Sequence, residues 1–169
     1  MKIINLSENE AKDYIADVPY IHISIRSPKT ESITLPENLL RLANLFLAFH
    51  DIDERCLEIT DRVDCDVCGG SGFIPEYRHI ENGRCFKCNK EGLNLQLFGR
   101  KDAIHILEFV EKYIDDIKLI VVNCEAGISR SAGVAGALSK IINGDDSAYF
   151  KHSLPNMLVY RTILEEHFK

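Results

Sequence analysis

The apolar run Leu119-Ile120-Val121-Val122-Asn123 passes directly into Cys124-Glu125-Ala126-Gly127-Ile128-Ser129-Arg130-Ser131, and then into Ala132-Gly133-Val134-Ala135-Gly136-Ala137-Leu138. A short run of β-branched and apolar residues reads as a strand buried on both faces, the usual setting of a parallel sheet. The small residues that follow suit a helix that must approach a sheet closely. This stretch therefore commits the chain to a strand, a tight loop and a helix in immediate succession.

The loop carries residue types that work together on an anion. A thiol is a useful nucleophile only as thiolate, a form favoured by a helix N-terminus and a nearby Arg. The five residues between Cys124 and Arg130 can wrap their backbone N–H groups around one tetrahedral oxyanion. Arg130 can grip two oxygens in a planar fork, which Lys cannot. Ser131 brings a hydroxyl within reach of the sulfur. Gly127 permits the tight wrap.

Residues 119–138 resemble the signature loop of the cysteine-dependent protein tyrosine phosphatases, specifically the compact dual-specificity type. The family pattern is similar to His-Cys-x-x-Gly-x-x-Arg-Ser/Thr, and Asn123 stands where the family usually has His. That His helps orient the loop. Asn can still hydrogen-bond, so the expectation is a modest loss rather than inactivity. The resemblance implies hydrolysis of phosphate monoesters on proteins (phosphotyrosine, with phosphoserine and phosphothreonine) through a phosphocysteine. It makes Cys124 the nucleophile, Arg130 and Ser131 catalytic, and the loop amides of Glu125, Ala126, Gly127, Ile128, Ser129 and Arg130 the phosphate cradle. No catalytic metal is expected.

A chain of 169 residues is one domain's worth, long enough to bury a core. A net charge of −6 argues against a general nucleic-acid or membrane-surface binder. No apolar run reaches the ~18 residues of a membrane span. The N-terminal residues Met1 to Glu8 lack a secretory signal's apolar region, so a cytoplasmic protein with reduced cysteines is expected.

Four of the six cysteines form two pairs, Cys65-Asp66-Val67-Cys68 and Cys85-Phe86-Lys87-Cys88, sixteen residues apart. Two such knuckles suit one structural tetrahedral Zn2+ with four sulfur ligands. The first continues Cys65-x-x-Cys68-x-Gly70-x-Gly72; the second has Gly92 in the matching place but Lys90 where a Gly would complete it. Both units are similar to the repeats of the J-protein chaperone zinc domain. That resemblance implies a structural zinc, not chaperone activity. Cys56 lies outside the pattern and reads as a buried apolar residue.

Strands alternating with helices predict an α/β fold with a central, mostly parallel sheet flanked by helices. Expected strands are Lys2–Leu6, Pro19–Arg26, Leu45–Asp53 and Ile117–Val122. Expected helices run from Ser7 (an N-cap with Glu10 in a capping box) to about Ala16, over Lys101–Tyr113 and Arg130–Ile142, and from Met157 to His167. Residues of roughly 56–97 read as a zinc-ribbon insertion within the single domain 1–169, folding around its metal because it is too short to bury a core. Its tip, with Phe73, Ile74 and Tyr77, offers apolar residues to a protein partner. The leaving oxygen needs a proton. Resemblance in position favours Asp51 as the donor, with Asp53 next and Asp61 and Asp64 as alternatives.

Two other functions share this loop. One is a weakly catalytic or non-catalytic phosphoprotein-binding module; the other is an RNA 5′-triphosphatase, against which the acidic charge counts. Glu125, Ala126, Ile128 and Ser129 at the variable positions also disfavour a highly anionic substrate. Elemental analysis of freshly purified, reduced protein should find about one zinc per chain. Far less than that would remove the zinc site, whereas chelator should unfold the insertion slowly without stopping turnover at once.

Overall fold

The computed structural model describes residues 1–52, 74–79, 85 and 96–169. Asp53, Cys56, Asp61, Asp64, Cys65, Cys68, Phe73 and Cys88 lie outside the described residues. The chain divides into two compact units, one formed by Met1–Asp51 with Leu97–Lys169 and the other by Ile52–Gln96. In the second unit, Pro75–Tyr77 make a single 3-10 turn, and Ile74 and Cys85 are buried.

The first unit runs β1 (Lys2–Ser7), α1 (Glu8–Asp13), β2 (Tyr20–Arg26), β3 (Arg41–Ala48), α2 (Arg100–Tyr113), β4 (Leu119–Cys124), α3 (Arg130–Asn143), α4 (Ser147–His152) and α5 (Met157–His167). The strands form one sheet in the order β1-β4-β2-β3, and every pair is parallel. The all-parallel sheet explains why β4 is buried at every position and β2 at all but Arg26, since helices must cover both faces.

Residue parity assigns the faces. Ile21, Ile23 and Ile25 of β2 and Ile120, Val122 and Cys124 of β4 enter the main core with Ala103, Ile106 and Val110 of α2 and residues of α3 and α5. Tyr20, Leu119 and Val121 form a smaller cluster on the other face with Ala16. Among the described residues, no helix is long and apolar enough to cross a membrane.

The local signals hold with shifted boundaries. Ser7 caps α1 in a reciprocal box with Glu10, as expected. The helix nevertheless stops at Asp13, because Tyr14 turns to extended backbone and the chain delivers Ala16 to the smaller cluster. Gly144 closes α3 in the left-handed conformation, φ 75°. The third strand ends at Ala48, not Asp53. Phe49 still donates its N–H to the Arg26 carbonyl at 3.2 Å, but its ring packs edge-on against Phe98, centroids 4.9 Å apart. This departure leaves Asp51 beyond the end of the sheet.

Ala135 and Ala137 of α3 share the core with the sheet, as expected, while its two glycines face neighbouring helices. A Cβ on Gly133 would lie 2.8 Å from the backbone carbonyl oxygen of Asn156, at the start of α5, while one on Gly136 would meet Tyr149 and Tyr160 at ordinary contact distances of 3.5–3.6 Å. At Gly133 the tight approach is thus between helices. Gly133→Ala should destabilise the fold by about 1–3 kcal/mol through overpacking. Gly136→Ala should be neutral or stabilising by up to about 1 kcal/mol through helix propensity. Urea denaturation of the two variants checks the contrast.

Candidate active site

The loop from Cys124 to Arg130 joins the C-terminal end of β4 to the N-terminus of α3, and its carbonyls are held from outside. Glu8 N–H donates to the Glu125 carbonyl at 3.2 Å, and Asn5 Nδ2 to the Gly127 carbonyl at 2.5 Å. Leu154 N–H donates to the Ile128 carbonyl at 3.0 Å, and Asn156 N–H to the Ser129 carbonyl at 3.1 Å. No peptide bond in the described chain is cis. In a planar trans peptide the N–H points opposite to the preceding C=O. The amides of Ala126, Ile128, Ser129 and Arg130 therefore face away from these donors, towards the concave side of the loop. That is the arrangement that binds an oxyanion.

Gly127 is required twice over. Its φ is 75°, and a Cβ there would lie 2.5 Å from Ser7 N and 2.7 Å from the Leu6 carbonyl carbon. The loop leans directly on the end of β1.

Cys124 and Ser131 are buried, with Cys124 Sγ 3.1 Å from Ser131 Oγ. The hydroxyl can donate to a thiolate and stabilise sulfur as a leaving group. Ser129, at the N-cap position, makes no side-chain cap; its hydroxyl donates to Asp51 Oδ1 at 2.7 Å instead. The first turn of α3 is left to other acceptors.

Arg130 is 3% exposed, and its guanidinium divides its edges. Nη1 donates to the Phe49 carbonyl at 3.0 Å and to Ser27 Oγ at 3.2 Å, which fixes the plane. Nη2 lies 3.4 Å from Glu125 Oε2, and Nε lies 3.9 Å from Asp51 Oδ2. Among the described residues, Nε is buried with no hydrogen-bond partner. The Nε–Nη2 edge is the fork that suits two oxygens of one phosphate.

Asp51 sits beside this fork. Its Oδ1 accepts from Ser129 Oγ and from Asn156 Nδ2, the latter at 2.9 Å, and Oδ2 faces Arg130. Cys124, Arg130, Ser131, Asp51 and the loop residues Glu125 to Ser129 thus meet in one place. Asp53 lies outside the described residues, as do three of the four zinc-ligand candidates, Cys65, Cys68 and Cys88. Among the described residues, no group of three or more His, Cys, Asp or Glu side chains is placed to hold a metal.

Four supporting residues were not among the site residues expected from the sequence. Asn5 and Asn156 tie the loop, and Ser27 fixes Arg130. The fourth is His22, whose Nε2 lies 2.9 Å from Asn123 Oδ1, both residues being almost wholly buried. Asn123 is paired across the ladder with Ser24, so His22 reaches it diagonally on the face opposite the main core. The one signal for Asn5 and His22 was a polar residue inside a buried strand, which must find a partner. Arg26 turns back onto the Ser27 and Thr30 carbonyls.

No protein-family model matches the chain, and no curated protein sequence matches it. Solved structures do. The crystal structure of human tyrosine phosphatase-like serine/threonine/tyrosine-interacting protein is similar with a TM-score of 0.52 at 15% identity, over 98% of this chain and 91% of that one. The crystal structure of Tk-PTP in the active form gives 0.47 at 14% identity, over 96% and 90%. The fold is tyrosine phosphatase-like.

Burial pushes the His22 imidazole down to about 4; the Asn123 contact opposes this and the Arg41 charge adds to it. An unfolded chain binds a proton at His22 below about pH 6.5, and the folded chain does so only near pH 4. Stability should therefore be constant in His22 above about pH 6.5 and fall towards pH 4, by an amount on the order of 3 kcal/mol. Denaturation curves for wild type and His22→Gln should differ in pH slope within that window and run parallel above it.

Proposed function

We propose that the protein is a cysteine-dependent phosphatase that hydrolyses phosphate monoesters on proteins, phosphotyrosine foremost, through a phosphocysteine. The observation that carries this reading is the buried Nε of Arg130, without a hydrogen-bond partner among the described residues, beside a nucleophile's loop in which four carbonyls are drawn outward. A buried donor without a partner is costly unless a ligand supplies one.

Two steps follow. The Cys124 thiolate attacks phosphorus in line, while the Arg130 fork and the inward amides hold the equatorial oxygens. The bond to the leaving oxygen breaks, and that oxygen takes a proton from Asp51. Water then attacks phosphorus, Asp51 takes its proton, and the sulfur–phosphorus bond breaks. Ser131 Oγ, 3.1 Å from the sulfur, donates to the thiolate that is released. No zinc enters these steps. The donor chemistry of Cys65, Cys68, Cys85 and Cys88 suits a structural ion, and the segment that carries them is a candidate docking element for a protein substrate.

A binding-only module is the second reading. Its support is the likeness in fold to a protein described as tyrosine phosphatase-like and as serine/threonine/tyrosine-interacting. Turnover separates the two. Wild type should hydrolyse a small aryl phosphate between about pH 5 and pH 8, and Cys124→Ser should not. Asp51→Asn should remove the basic limb of the profile. Arg130→Lys should lower kcat/KM by roughly 10²- to 10³-fold. Absence of turnover in wild type, with phosphopeptide binding that depends on Arg130, would establish the binding module instead.

A further inference from the structure

Asn156 stands at a junction that helix capping does not explain. It is 1% exposed. Its Oδ1 accepts from Val159 N–H at 3.1 Å and so caps α5. Its backbone N–H holds the Ser129 carbonyl at 3.1 Å, and its own carbonyl accepts from Tyr160 N–H at 3.0 Å. These contacts fix the side-chain amide. The remaining group, Nδ2, donates to Asp51 Oδ1 at 2.9 Å. Asp would cap a helix as well as Asn does. What only the amide supplies is the donor to Asp51.

We infer that Asn156 is a positioning residue for Asp51, fixing which carboxyl oxygen carries the proton; this rests on the phosphatase reading above. Oδ1 takes two hydrogen bonds, from Asn156 Nδ2 and Ser129 Oγ. A carboxyl oxygen that accepts twice is the carbonyl-like one, so the proton belongs on Oδ2. Oδ2 is the oxygen turned to the Arg130 fork, 3.9 Å from Nε, and so to the place a bound phosphate would take. The acid is thereby aimed before substrate arrives. Among the described residues, the charged and titratable groups around Asp51 are Arg130, Glu125 on the far edge of the same guanidinium, and His50 next in sequence. From α5, the group that meets Asp51 is the neutral amide of Asn156.

Two variants test this. Asn156→Ser keeps a hydroxyl for the cap but loses the donor to Asp51. Asn156→Asp keeps the cap and sets a second carboxylate against Asp51. The assay compares kcat/KM for phenyl phosphate, a poor leaving group, with that for nitrophenyl phosphate, a good one, and records the pH profile. Asn156→Ser should lose roughly tenfold on phenyl phosphate and little on nitrophenyl phosphate, because only the poor leaving group needs the acid. Asn156→Asp should move the basic limb to higher pH, since a neighbouring like charge disfavours ionisation. Equal losses on both substrates with an unmoved limb, while Asp51→Asn does lose its limb, would overturn the positioning role and leave the phosphatase reading intact. A limb that survives Asp51→Asn would overturn Asp51 as the acid and Asn156 with it.

Discussion

An oxyanion-binding loop must keep its amides converging even when no anion is present. Converged N–H dipoles repel one another, so the loop would not hold this shape on its own; its surroundings have to impose it. Here the surroundings act on the carbonyls. Asn5 and Glu8 pull from one side, Leu154 and Asn156 from the other, and peptide planarity turns each pull into an inward amide. The donors come from the first residues of the chain and from the turn before its last helix. The site is therefore a property of the whole first unit rather than of the eight-residue motif.

Arg130 shows the same division of labour within one side chain. Nη1 is committed to Phe49 and Ser27, so the guanidinium plane is set by the ends of β2 and β3. Nε and Nη2 are left opposite two carboxylates that they meet only loosely, at 3.9 Å and 3.4 Å. Glu125 is largely exposed, so its hold on Nη2 is screened and weak. A phosphate carries two charges and fits the fork, so it can displace that contact. A buried donor held back from its best partner is a local defect of packing that folded proteins tolerate mainly at functional sites.

Much of this was legible because it rests on local rules. The apolar run before Cys124, the capping box at Ser7, the glycine after Asn143 and the start of α5 at Asn156 each obey short-range chemistry. Cys124, Arg130 and Ser131 stood out by residue type and spacing, and Asp51 was the carboxylate that resemblance in position favoured over Asp53, Asp61 and Asp64. The supports did not stand out in this way. Asn5 and His22 lie more than a hundred residues from their partners, Gly127 and Asn123, and only the parallel register of β1, β4 and β2 brings them together. The end of β3 was misplaced because Leu45 to Phe49 continues the apolar pattern, while the Phe49 ring turns to meet Phe98, far along the chain.

Gly133 joins packing to chemistry. Its missing side chain lets the backbone of Asn156 come so close to α3 that a methyl group would not fit between them. That closeness is what allows one residue to hold the Ser129 carbonyl with its main chain and Asp51 with its side chain. A larger residue at position 133 would push the start of α5 away from the loop. The outward pull on Ser129 and the aim of Asp51 would then weaken together. A residue with no polar atom beyond its backbone, buried in a helix contact, thus sets the relative position of the anion cradle and the carboxylate proposed to act on it.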